Sequence, residues 1–166
     1  MKAAIKRIIL CAFVFVLTFS TLDVNAQAAS KKSYTSSDLR YLTAIVYCEA
    51  GSESYKGKVA VANVVLNRVN NKKYPNTIKK VIYQKGQFTP ARSGSLKKAL
   101  AKYDGKTSMK SKDKKMMAEC KKAAKAALNG KKVLSSKYLF FTGYRSKKAI
   151  QKKYKNAVFI GNHYFR

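Results

Sequence analysis

The run Tyr55–Val69 constrains the fold more than any other stretch of this 166-residue chain. Val59, Ala60, Val61, Ala62, Val64, Val65 and Leu66 make it apolar almost all round. A helix without a polar face needs neighbours on every side, so it is expected at the centre of a packed domain. Asn67 and Arg68 stand near its end, where the helix dipole favours a cation, and Arg68 reads there as a cap. The flanking sequence supplies elements to wrap it. Residues 39–51 form an amphipathic helix, introduced by a capping box with Thr35 as N-cap and Asp38 reaching back. A turn at residues 74–77 starts a short helix over Ile78–Tyr83, and a polar loop with an aromatic follows at residues 84–90. Residues 93–111 are polar and basic and match no period. Residues 111–129 form a longer helix, with Met117, Cys120, Ala124, Ala127 and Leu128 inward and lysines outward, closed by Gly130. Residues 138–142 and 157–160 read as two short strands, joined by a basic connection with room for a helical turn. The fold class is therefore α+β, mostly helical, with a small antiparallel hairpin or sheet near the C-terminus.

One residue in this scheme is out of place. Leu42, Ile45, Val46 and Glu49 share one side of the first helix, at i, i+3, i+4 and i+7. Glu49 thus points where a core side chain should point. Burial disfavours the charged carboxylate, and Gly51 stops the helix two residues on, so the negative end of the dipole opposes ionisation as well. A carboxyl held protonated near neutral pH can serve as a general acid. The plainer alternative is a buried glutamate neutralised by Arg68, Arg40 or a lysine.

The first residues read as a signal peptide over 1–26: Lys2, Lys6 and Arg7, then an apolar run over residues 8–19, then two small-residue cleavage patterns. That run is short for a membrane span, although an uncleaved anchor is the competing reading. Residues 27–36 read as a short linker and 37–166 as the functional domain. Removing residues 1–26 takes away three cations and Asp23, which lowers the formal charge from +29 to +27. Charge of that size usually points to nucleic acid. Here the lysines are spread evenly, no nucleic-acid motif is present and the chain carries an export signal. Anionic wall polymers are the expected polyanion outside a cell, with a secreted, wall-associated monomer and no membrane span once the signal is cleaved. Export also permits a disulfide between Cys48 and Cys120, with two buried free thiols as the alternative. His163 is the only histidine, so a zinc site has too few ligands at sensible spacing and no metal or cofactor is expected. A Cys48–His163 nucleophilic pair has no local feature to activate it.

Three strings carry a family resemblance: IVYCEAGSESYKGKVAVANVVLNRV (45–69), YPNTIKKVIYQKGQFTP (74–90) and IGNHYF (160–165). Together they resemble the SleB/CwlJ-type cell wall hydrolases, which include spore-cortex-lytic enzymes, and the likeness runs over residues 37–166. It implies a compact lysozyme-like domain with a groove that cleaves peptidoglycan glycan strands, and a single catalytic glutamate at Glu49. Glycoside cleavage normally uses two carboxylates. Among the acids of residues 27–166, only Glu53 is near Glu49 in sequence. The shortage favours what the resemblance also implies, lytic transglycosylation, in which the muramyl 6-hydroxyl replaces water. Sugar-binding candidates are Tyr47, Glu53, Gln87, Phe88, Thr89, Asn162 and His163. The competing functions are a muramidase or glucosaminidase with Glu53 assisting water, and a cationic wall-binding protein without activity.

Overall fold

In the computed structural model, which describes residues 34–144 and 146–166, Tyr55–Val69 is one helix, α2. It is central, as its composition demands. Val59, Ala60, Val61, Ala62, Val64 and Val65 are fully buried. Each large apolar side chain so enclosed contributes about 1.5–3 kcal/mol relative to exposure. The signal-peptide reading over 1–26, and most of the linker, lie outside the described residues. No helix among the described residues is long and apolar enough to cross a membrane.

Before α2 comes α1, Ser36–Ala50, opened by the expected capping box: the Thr35 side chain accepts from the Asp38 N–H, and Asp38 accepts from the Thr35 N–H at 3.0 Å. Leu42, Ile45 and Val46 are fully buried. After α2 come α3 (Ile78–Tyr83), α4 (Thr89–Arg92), α5 (Ser95–Tyr103) and α6 (Ser111–Leu128). Helix α6 covers α1 and α2, and α5 packs along α1. Residues 93–111 thus contain a helix that the sequence pattern did not disclose. Its apolar stripe is only Leu96, Ala99 and Leu100, interrupted by lysines. Arg40 on α1 donates two hydrogen bonds of 2.6 Å to Asp104, the residue that ends α5. That pair ties the far ends of the two helices together.

The C-terminal part holds β1 (Phe141–Gly143), α7 (Lys147–Lys153), β2 (Val158–Ile160) and β3 (His163–Phe165). The sheet is antiparallel with order β1-β3-β2, so the last strand lies in the middle. Expectation reached two strands; the third is only three residues long and pairs with both. Phe141 and Val158 each face Phe165, which is fully buried.

Helix α2 holds the chain segment that leads to this sheet. The apolar reading of the helix passed over Asn63 and took Arg68 for a terminal cap. Both are buried, as is Asn67. Asn63 donates to the Lys131 carbonyl at 2.9 Å and accepts from the Val133 and Leu134 amides. Asn67 donates to the Ser135 and Tyr138 carbonyls, both at 2.9 Å. Arg68 Nε donates to the Leu139 carbonyl at 2.7 Å, and its guanidinium lies 5.1–5.5 Å from the ring centres of Phe88, Tyr74 and Phe140. Buried backbone groups of a loop need partners, and these three side chains supply them.

Candidate active site

Glu49 sits in the last turn of α1, at the foot of a cleft of ≈ 480 Å³. That volume is within the usual range of ligand sites, about 300–1,000 Å³. Tyr47, Cys48 and Glu49 form the α1 wall. Thr89, Pro90 and Ser93 come from α4 and its end, and Ser95, Lys98, Ala99 and Lys102 from α5. The cleft lies where the last turn of α1 meets α4 and α5. Gly51 allows that ending, but not by a left-handed turn: its φ is −55°. A Cβ there would stand 2.6 Å from the Tyr47 carbonyl oxygen and 2.7 Å from Met116 Sδ. The position is glycine because α6 approaches the chain closely.

The Glu49 carboxyl is half-buried, and burial pushes its pKa above the ordinary glutamate value. Among the described residues, no ion pair holds it. The arginines named as alternative partners are engaged elsewhere, Arg40 with Asp104 and Arg68 with the Leu139 carbonyl among aromatic rings. The expected alternative of a salt-bridged Glu49 is therefore not what the fold contains.

Glu53 is placed differently. It follows Ala50 by a tight turn, its N–H donating to the Ala50 carbonyl at 3.0 Å, and it is buried. Its carboxylate accepts the Asn162 backbone N–H at 3.2 Å and the Asn162 side-chain amide at 3.0 Å. His163 Nδ1 lies 3.9 Å away, with no hydrogen-bond partner. Burial lowers the His163 pKa, against a smaller upward pull from Glu53. The carboxylate thus fastens the β2–β3 turn, and it does not line the cleft.

The expected site residues fall into two groups. Tyr47 and Thr89 line the cleft beside Glu49. Glu53, Asn162 and His163 form the second cluster. Phe88 links the groups: it precedes Thr89, is buried, and its ring centre is 6.2 Å from Phe141, which is 5.4 Å from His163. Its faces are taken by packing. Gln87 lies in the turn before it and is not among the cleft-lining residues.

Sequence reasoning missed Ser93, Ser95, Lys98 and Lys102, which form the wall facing α1. Lys102 donates to Tyr47 Oη and to Asp113, each at 3.1 Å, and so braces the cleft. The i, i+4 spacing of Lys98 and Lys102 around Ala99 was the available signal.

The expected Cys48–Cys120 bridge is not formed; both cysteines are free. Burial, with the charge of Glu49 adding to it, pushes the Cys48 thiol up to about 11, and burial takes Cys120 to about 12. A thiol held protonated is no nucleophile, and the lone histidine lies against Glu53 and makes no hydrogen bond to Cys48, so the Cys48–His163 pair is not assembled.

Comparison with known proteins gives the same architecture. A family model for cell wall hydrolases matches residues 52–166, beginning three residues after Glu49. The catalytic domain of the germination-specific lytic transglycosylase SleB from Bacillus anthracis superposes with a TM-score of 0.58 at 28% identity, over 81% of this chain and 97% of that one. The catalytic domain of Bacillus cereus SleB gives 0.55 at 27%, over 81% and 92%. In sequence, the spore cortex-lytic enzyme of Bacillus subtilis is 40% identical over 63 residues, and that of Oceanobacillus iheyensis 38% over 65. These stretches cover 38–39% of this chain but only 21% and 24% of those relatives. With its mostly helical body, its small C-terminal sheet and the family match over most of its length, the chain belongs to the cell wall hydrolase family.

Proposed function

We propose that this chain is an exported peptidoglycan lytic transglycosylase that cuts after N-acetylmuramic acid, with Glu49 as general acid and then general base. The observation that carries the reading is the state of Glu49: half-buried, raised in pKa, open to a cleft and held by no cation among the described residues. Protonated Glu49 gives its proton to the glycosidic oxygen as the bond to C1 breaks. The resulting carboxylate takes the proton of the same sugar's 6-hydroxyl, whose oxygen closes on C1. The acid is regenerated, no water is consumed, and the muramyl end leaves as a 1,6-anhydro sugar.

A hydrolase would need a second carboxylate to activate water. Among the described residues, the only acidic side chain that lines the cleft is Glu49. Glu53, the sequence candidate for that role, accepts two hydrogen bonds from Asn162 instead. Tyr47 and Thr89 would contact the sugars, while Glu53, Asn162 and His163 act as a positioned wall beyond Phe88. The solved structural relative from Bacillus anthracis is described as a lytic transglycosylase, which supports the same chemistry here. The formal charge of +27 on residues 27–166 would hold the protein on anionic wall polymers, and the domain would act there as a monomer.

The test is digestion of purified peptidoglycan with mass spectrometry of the new ends. Anhydro ends, lighter than hydrolysed ends by one water, about 18 Da, are expected. Reducing ends alone would replace the transglycosylase by a muramidase or glucosaminidase.

A further inference from the structure

The α5 wall of the cleft carries two lysines on one face, one helical turn apart. Lys102 is engaged: its ammonium lies 3.1 Å from Asp113 and 3.1 Å from Tyr47 Oη. This contact turns the α5 face towards the end of α1. Lys98, at i−4, therefore lies along the same cleft, and it is exposed. Among the described residues no ion pair involves Lys98. Among the described residues, the only carboxyl lining the cleft is that of Glu49. Glu49 is raised by burial alone, without an opposing pull from either lysine. Among the described residues the ammonium of Lys98 is thus not neutralised by a carboxylate of the protein.

We propose that Lys98 is a specificity-determining residue that pairs with a carboxylate carried on the lactyl arm of the muramyl sugar. This rests on the glycan-cleaving reading above and adds a substrate class to it. The sugar rings of peptidoglycan are neutral. Its anions near the scissile bond belong to the stem peptide, or to the lactyl group itself once the peptide is removed. Ser93 and Ser95, which border Lys98 in the cleft, offer hydroxyls to the same arm, and their Oγ atoms are 3.0 Å apart. An unpaired cation beside neutral hydroxyl groups matches a chain with alternating amide and carboxylate groups. It does not match a bare neutral glycan. An exposed lysine supports a modest preference, about fivefold in kcat/KM, which corresponds to about 1 kcal/mol.

The experiment compares native peptidoglycan strands with strands whose carboxylates have been amidated, so that the glycan is identical and only charge differs. The wild-type chain should cleave native strands about fivefold more efficiently. Lys98→Ala should lower the ratio, Lys98→Glu should lower it further, and Lys98→Arg should restore it. The wild-type ratio should also fall towards one as salt is raised. A wild-type ratio of one, or a ratio unchanged in Lys98→Ala and Lys98→Glu, overturns the proposal. Failure to cleave either strand would refute the glycan-cleaving reading itself, and this proposal with it. Strands stripped by an amidase carry only the lactyl carboxylate. A preference that persists on them, and one confined to peptide-bearing strands, both support the proposal and tell the two sources of the anion apart.

Discussion

Replacing Gly161 by alanine should destabilise the domain far more than the same change at the other turn glycines. Gly161 has φ of +58°, in the left-handed region, and a Cβ there would fall 1.9 Å from Glu53 Oε2. Backbone strain at a left-handed alanine costs about 1–2 kcal/mol. The carboxylate must also swing aside, and each bond it loses to Asn162 is worth about 1.5–3 kcal/mol, because the acceptor is charged. Loss of one bond brings the total to about 2.5–5 kcal/mol. Against a domain stability of about 5–15 kcal/mol this is a large fraction. Gly105 is the internal control: its φ is +72° with nothing within 4 Å of a Cβ, so Gly105→Ala should show the backbone cost alone. Urea unfolding of both variants measures the difference. A double-mutant cycle with Glu53→Ala isolates the clash, since the three atoms nearest a Cβ at 161 all belong to the Glu53 carboxyl. Its coupling should be about 1.5 kcal/mol or more. If Gly161→Ala costs no more than Gly105→Ala, Glu53 does not fasten the turn as described.

Three further outcomes are expected. Gly51→Ala should lower stability by about 1–3 kcal/mol through overpacking against Met116 and the Tyr47 carbonyl, and should reduce turnover because it moves the end of the helix that bears Glu49; unchanged melting would contradict the close approach. The rate should fall as pH rises through a Glu49 pKa above the ordinary glutamate value of about 4.3. Stability follows the same sign: a folded-state pKa raised above the unfolded one contributes fully below the unfolded value and is lost as pH rises through the folded value, and Glu49→Gln should remove that loss. Thiol titration of denatured protein prepared without reductant should find Cys48 and Cys120 free, and in the native state both should react slowly; disappearance of both thiols would contradict the structure.

What could be read in the sequence was what local physics determines. The capping box at Thr35 and Asp38, the stripe Leu42, Ile45, Val46, and the all-apolar body of α2 each lie within a few residues of chain. Glu49 stood out because it broke a local period. The features that escaped depend on distant partners. Glu53 was read as a sugar-binding or water-assisting residue because the groups that satisfy its carboxylate are 109 residues away. Residues 163–165 are too short for a pattern, and their place in mid-sheet is set by two strands that pair with them. Asn63 and Arg68 passed as a minor interruption and a cap, because the loop they satisfy begins 68 residues later. Helix α5 was hidden by its own lysines, two of which line the cleft. The far wall of the site was therefore the least legible part. Gly51 was correctly seen to end a helix, but the reason, contact with Met116, belongs to tertiary packing.

The most direct measurement of the central claim is turnover of purified peptidoglycan by Glu49→Gln, alongside its unfolding midpoint and its binding to the same material. The amide keeps the shape of the side chain but cannot deliver a proton. Cleavage should fall by about 10²–10⁴-fold or more, with folding and wall binding retained. Cleavage at the wild-type rate by a folded Glu49→Gln protein would contradict the account and move the chemistry to another residue.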